Sequence, residues 1–227
     1  MICLVTGFGG FPGQPRNPTQ ALVRALARRR RRLLLAGIEL RLAVLPVRRD
    51  AIRNALTDAL DQASGRAGPD LVLHFGVAGR RRVIGVETRA LNRAGPLRPD
   101  AAGRRAPSPL VEPGGPAARR ALWPAAQIAA SLRRAGFAAA LSNDAGDYLC
   151  NELFYLSLGR AGAAPVGFIH VPPPRRLGGP SALAEAGVAA ILAAARLSGR
   201  GRGAGAPRRA APDARPGDAS AGRAPET

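Results

Sequence analysis

The sequence predicts an α/β fold, a three-layer, open, mostly parallel sheet with helices on both faces. Three observations carry this. Short apolar runs alternate with stretches that repeat apolar residues at helical spacing. The run 71–77, bounded by Pro69-Asp70 and Gly79, reads as a strand covered on both sides. Turns rich in glycine or proline punctuate the alternation.

Residues 2–6 form an apolar run that ends in Gly7-Phe8-Gly9-Gly10, a strand followed by a tight loop. Residues 19–35 carry Leu22, Val23 and Leu26 at helical spacing, with Asn17-Pro18 near the start. A second strand spans 38–47 and a second helix 50–63, the latter marked by Ile52, Ala55, Leu56 and Leu60. After the 71–77 strand, residues 96–115 are rich in proline, glycine and arginine and read as a long loop. Then come a helix over 121–135, a short strand over 138–142, a helix over 149–158 and a last strand over 166–171. The final helix covers 181–197 with Ser181 as its N-cap. This gives one α/β domain, 1–197, and an Arg/Ala/Gly/Pro-rich tail, 198–227. The tail has almost no large apolar residue, so it is expected to be disordered.

All 34 basic residues are arginine, the net charge is +19, and aromatics are only 4%. That profile fits a GC-rich coding sequence better than a functional demand. The arginines are scattered apart from short runs, which favours a solvated basic surface over a nucleic-acid site. Cys3 and Cys150 have no metal spacing and form no CxxC pair, and no metal or cofactor is implied. Cys3 lies in an apolar run and reads as a small buried hydrophobe. No signal-peptide pattern is visible, and no apolar run approaches the ~18 residues that span a bilayer. A cytoplasmic protein without a membrane partner is expected.

Cys150 follows the turn Asn143-Asp144-Ala145-Gly146-Asp147 and opens a helix. The positive end of a helix dipole favours thiolate, and free backbone N–H groups there can hold an oxyanion. A cysteine in this place also serves as a buried apolar residue, and position alone does not choose between the two. His170, near the carboxyl end of the last strand, suits a general base, with a structural histidine as the alternative. His74 lies inside a buried strand and is the weaker candidate. Glu87, flanked by Val83-Ile84-Gly85-Val86 and Ala90-Leu91, is an acid in apolar surroundings and needs a partner. That partner is either a histidine or one of the many arginines. The position six residues after Cys150 is Leu156, which removes the arginine of a phosphatase loop. Gly7-Phe8-Gly9-Gly10-Phe11-Pro12 is neither GxGxxG nor a P-loop.

Four stretches together resemble the pyroglutamyl-peptidase I (pyrrolidone-carboxylate peptidase) family of cysteine peptidases. They are Val5-Thr6-Gly7-Phe8 with Phe11 and Asn17-Pro18-Thr19; Gly76-Val77-Ala78-Gly79-Arg80 with Val86-Glu87 and Asn92; Ser142 through Tyr155; and Phe168-Ile169-His170-Val171-Pro172. The resemblance covers about 2–197 in family order. It implies a triad of Cys150 as nucleophile, His170 as acid/base and Glu87 orienting the imidazole. The implied reaction releases N-terminal pyroglutamate from peptides, through a thioester. Phe8, Phe11, Tyr148, Leu149 and Val77 would line the pocket, and members usually assemble as homodimers or homotetramers. Where the family has an oxyanion-polarising arginine this chain has Leu97, with Arg98 one place on. Many members carry glutamine where Val77 stands and a threonine near Val47. These departures leave open a cysteine amidase acting on another capped or cyclic amide. The basic charge leaves open a weakly active or inactive member with a binding role.

Overall fold

Side chains along each central strand alternate between two cores, one on either face of a six-stranded sheet. The computed structural model describes residues 1–202 except Pro12 and 65–67. In chain order its first elements are β1 (Ile2–Phe8), α1 (Pro18–Arg28), α2 (Arg30–Leu35), β2 (Glu39–Leu45), α3 (Arg49–Ser64), β3 (Leu71–Val77) and β4 (Ile84–Glu87). There follow β5 (Arg89–Leu91), β6 (Ala118–Arg120), α4 (Ala125–Arg134), β7 (Ala139–Ser142), α5 (Leu149–Arg160), β8 (Val166–Val171) and α6 (Pro180–Arg202).

The large sheet has the order β2-β1-β3-β8-β4-β7. All neighbours are parallel except β4 and β8, and β5 with β6 forms a separate antiparallel ribbon. Cys3 and Val5 of β1, Leu73 and Phe75 of β3, and Ile169 of β8 face the core built with α1, α4 and α6. Leu4, Val72 and Phe168 face the other core, built with α3 and α5. By the same period of two, Gly76, Gly85, Glu87 and His170 fall on the α5 face.

The opening motif is a packing device. Asn17 caps α1 by accepting from Thr19 N at 3.0 Å, and Pro18 fills the first helical position. Thr19 Oγ1 accepts from Phe8 N at 2.9 Å, locking the helix start to the end of β1. A Cβ on Gly7 would lie 2.5 Å from Thr19 O, so only glycine permits that approach.

Several elements differ from expectation. The helix expected over 19–35 breaks at Arg29 into α1 and α2. Arg29, at the break, and Arg32, in α2, both pair with Glu185 of α6, at 3.0 and 2.8 Å. α4 starts at Ala125, not 121, because Pro124 stands at its N-cap position. β4, β5 and β6 were not anticipated. α6 begins at Pro180, so Ser181 is inside the first turn and is not the N-cap, and the helix runs on to Arg202. The last five residues of the helix, 198–202, fall in the segment expected as a tail, and 203–227 lie outside the described residues. Residues 180–198 have the length and mean hydropathy of a membrane span, a longer apolar stretch than the sequence reading credited. More than half of that segment is buried, in the core shared with α1 and α4, so α6 is a core helix. Gly187 lets Leu22 approach to where a Cβ would stand only 2.7 Å away.

Candidate active site

Cys150 is the second residue of α5, and its Sγ lies against Gly76, where a Cβ would be 2.9 Å away. Gly76 pairs in register with His170 on the parallel neighbour β8. The sulfur therefore stands over the residue paired with His170, and glycine at 76 is what leaves room for it. On the other side of His170, β4 runs antiparallel and places Gly85 directly opposite. Glu87 lies two residues further along the same face, within diagonal reach of a long side chain. Its Oε1 accepts from His170 Nδ1 at 2.8 Å, and both side chains are buried. Arg81 Nη1 meets the same oxygen at 2.9 Å.

The electrostatics correct one expectation. Burial, followed by the charge of Glu87, pushes the Cys150 thiol up to about 12, against the lowering effect of Arg98 and Arg81. Burial therefore works against the thiolate that the helix start favours. Burial also pushes Glu87 up, but the hydrogen bond and charge of His170, a hydrogen bond with Ser142 and the charge of Arg81 outweigh burial. Glu87 is held below the ordinary carboxyl range and stays ionised. An ionised carboxylate can only accept, so Nδ1 carries the proton of this bond. Cys3 is fully buried and pushed to about 12 by desolvation, a core thiol as expected. His74 is equally buried, bridges Thr6 Oγ1 at 2.7 Å and Ser157 Oγ at 2.9 Å, and is pushed down to about 3 by desolvation.

Residues 1–198 match the family model described as pyroglutamyl peptidase. The chain belongs to the pyroglutamyl peptidase family. A pyrrolidone-carboxylate peptidase of Gloeobacter violaceus is 37% identical over 76% of this chain and 82% of its own. One from Pyrococcus furiosus is 33% identical over 76% of this chain and 81% of its own. The crystal structure of the pyrrolidone carboxyl peptidase from Thermus thermophilus superposes with a TM-score of 0.72 at 38% identity. That match covers 84% of this chain and 99% of the Thermus chain. This member of the pyroglutamyl peptidase family is accordingly a hydrolase, a peptidase of the cysteine type.

In this family member the five residues that the resemblance assigns to the pocket divide into two groups. Phe11, Tyr148 and Val77 are partly exposed, whereas Phe8 and Leu149 are buried within the α3/α5 core and support the others from beneath. The Phe11 and Tyr148 rings are tilted, 6.3 Å apart between centroids. Val47 is buried, with its carbonyl accepting from Ala101 N at 2.8 Å. Leu97 points to solvent and Arg98 points back to the cysteine turn, bonding Asp147 Oδ1 at 3.1 Å and lying 5.1 Å from the Tyr148 ring. A groove of about 620 Å³ lined by Arg134, Phe137 and Leu192 lies on the α4/α6 face, away from the cysteine.

The loop that carries Arg98 is fixed by residues the sequence reading did not single out. Buried Asp100 accepts from the N–H groups of Arg49, Ala102 and Arg104, each at 2.9 Å. Burial raises its pKa, but those backbone bonds and the Arg49 charge outweigh burial and hold it low. Arg49, almost wholly buried, pairs with Glu152 Oε1 at 3.0 Å and donates to the carbonyls of Gly95, Arg98 and Arg104. It also lies 5.3 Å from the Tyr148 ring centroid. Asn151 holds β5 through Leu91 N, Leu91 O and Arg93 O. Trp123 Nε1 donates to Glu87 O at 3.1 Å, fixing the backbone of the acid. Asn151, next to the nucleophile, and Asp100, in the segment Pro96-Leu97-Arg98-Pro99-Asp100, lie in stretches that the resemblance covers, whereas Arg49, Glu152 and Trp123 sit in no motif.

Proposed function

We propose that this peptidase releases N-terminal pyroglutamate from peptides through a triad of Cys150, His170 and Glu87. The observation that carries the reading is the line of groups on one sheet face: Glu87 Oε1, 2.8 Å from His170 Nδ1, with the cysteine sulfur packed over the residue paired with His170. His170 Nε2 takes the thiol proton as sulfur attacks the pyroglutamyl carbonyl. Glu87 stabilises the imidazolium that forms. The proton then passes to the leaving amine, the C–N bond breaks, and a pyroglutamyl thioester remains. Water, deprotonated by His170, attacks the thioester, and the thiol recovers its proton from the imidazolium. Because the thiol rests protonated, the proton moves during attack, as in a serine peptidase.

The N–H groups at the start of α5 have no intrahelical partner and face the developing oxyanion, with Arg98 adding positive charge from the loop. The substrate ring carries no ammonium, so the site needs no acidic anchor. The partly exposed Phe11, Tyr148 and Val77 offer an apolar cradle, backed by Phe8 and Leu149. Two free cysteines suit a reducing, cytoplasmic setting. Self-association as a homodimer or homotetramer belongs to the same reading and is measurable by light scattering. The test of function is hydrolysis of pyroglutamyl-aminocoumarin beside a panel of other N-blocked aminocoumarins. Best turnover on the pyroglutamyl member, lost in Cys150→Ala and after iodoacetamide, supports the reading. Preference for another capped amide, or no cleavage above the Cys150→Ala blank at pH 6–9, defeats it.

A further inference from the structure

Glu87 has two oxygens, and they are used unequally. Oε1 receives both His170 Nδ1 and Arg81 Nη1, while buried Oε2 has no hydrogen-bond partner among the described residues. The other arm of the same guanidinium, Arg81 Nη2, donates to Ser142 Oγ at 3.0 Å and Asp144 O at 2.9 Å. Those two residues begin the turn that delivers Cys150. Arg81 is itself anchored, since Arg176, in the turn after β8, donates to its carbonyl at 2.7 Å. The space for the guanidinium is provided by Gly85, where any Cβ would collide with Arg81 Nη1. Gly85 is also the residue paired with His170. Opposite the histidine, the sheet therefore holds an arginine side chain from the β3–β4 turn in place of a side chain of its own.

We infer that Arg81 is a positioning residue of the triad, joining the carboxylate that orients His170 to the turn that presents Cys150. This rests on the Cys150–His170–Glu87 reading. The bridge does two things. It turns Oε1 toward the imidazole, so the carboxylate is not free to rotate. It adds a positive charge to the hydrogen bonds of His170 and Ser142 that hold the buried Glu87 ionised. The charged or titratable groups around His170 are Glu87 from β4, Arg81 from the turn before it and Cys150 from α5. β3 contributes Gly76, and β8 contributes the uncharged ring of Phe168, 4.8 Å from the imidazole. Arg98 adds its charge at Cys150 from the 95–104 loop.

The test uses the full chain as Arg81→Met and Arg81→Lys, beside Cys150→Ala and His170→Ala. Two quantities are read: kcat/KM on pyroglutamyl-aminocoumarin against pH, and the iodoacetamide alkylation rate of Cys150 at pH 8 by peptide mass. The second needs no substrate. Arg81→Met is expected to lower kcat/KM about tenfold or more, because the carboxylate loses the contact that fixes Oε1. Its alkylation rate should fall about tenfold, because a cation near the sulfur is gone. Arg81→Lys keeps the charge, so its alkylation rate stays near that of the wild type. It cannot reach Glu87, Ser142 and Asp144 together, so its kcat/KM still drops, by about fivefold. A purely structural arginine would lower the melting temperature without moving kcat/KM or the alkylation rate. If Arg81→Met keeps both while Cys150→Ala and His170→Ala abolish turnover, the inference is overturned and the triad stands. If Arg81→Met does not fold, Arg81→Lys with wild-type kcat/KM overturns it alone. If the wild type ignores pyroglutamyl substrates yet alkylation falls in Arg81→Met, the substrate assignment fails and the role of Arg81 survives.

Discussion

Replacing Arg49 by methionine removes the cation that closes the 95–104 loop over the cysteine turn. Both members of the Arg49–Glu152 pair are 8% exposed at the side chain, so solvent replaces little of what is lost. Taking one partner from a buried pair costs about 3–5 kcal/mol, since the other charge is stranded. For a chain of this size a loss of 3 kcal/mol lowers Tm by about 6–12 °C. Burial already raises the Glu152 pKa and outweighs the lowering by Arg49, so without Arg49 the carboxyl rises further. A carboxyl with a raised folded-state pKa costs stability as pH climbs from its unfolded to its folded value. The deficit should therefore be larger at pH 8 than at pH 5. Adding Glu152→Gln to Arg49→Met removes the stranded charge and should recover about 1.5 kcal/mol or more. Urea unfolding of the wild type, both single variants and the double variant at the two pH values measures this cycle. A loss below about 1 kcal/mol in Arg49→Met, or no recovery in the double variant, would refute the reasoning.

Three further outcomes are expected. Gly76→Ala puts a Cβ 2.9 Å from Cys150 Sγ and 2.8 Å from Phe168 Cζ, so kcat/KM should fall about a hundredfold while overpacking costs about 1–3 kcal/mol by urea unfolding. His74 is held neutral with its pKa pushed from 6.5 to about 3, so its contribution is complete above 6.5 and is lost as pH falls toward 3. Stability should fall by about 1.4 kcal/mol per pH unit across that window, and His74→Gln should flatten the slope. Arg98→Gln should lower kcat on pyroglutamyl-aminocoumarin about tenfold with unchanged Tm, because the side chain is exposed but its charge reaches the sulfur.

Much of the fold was legible because period and turn chemistry agreed: 71–77 and 166–171 are strands with the expected bounds. β4 escaped notice because it has only four residues and one of them, Gly85, has no side chain to show the alternation. The α1/α2 break does not interrupt the apolar periodicity, so that periodicity does not register it. In the site, Cys150, His170 and Glu87 stood out as rare residue types at structurally marked places. Arg49 and Arg81 did not, because 34 arginines make any one of them unremarkable and the Arg49–Glu152 contact spans 103 residues. The state of the thiol could not be read from its helix position either. That position sets a favourable dipole, while burial by Gly76, Phe168 and the α3/α5 core is a tertiary fact.

The central claim is that Cys150 carries the acyl group. Acid quenching of the enzyme during turnover of a pyroglutamyl ester, followed by peptide mass analysis, reads this directly. One pyroglutamyl group on the peptide containing Cys150, absent in Cys150→Ala, is the predicted result. Turnover that persists in Cys150→Ala, or an acyl group on any other residue, contradicts it.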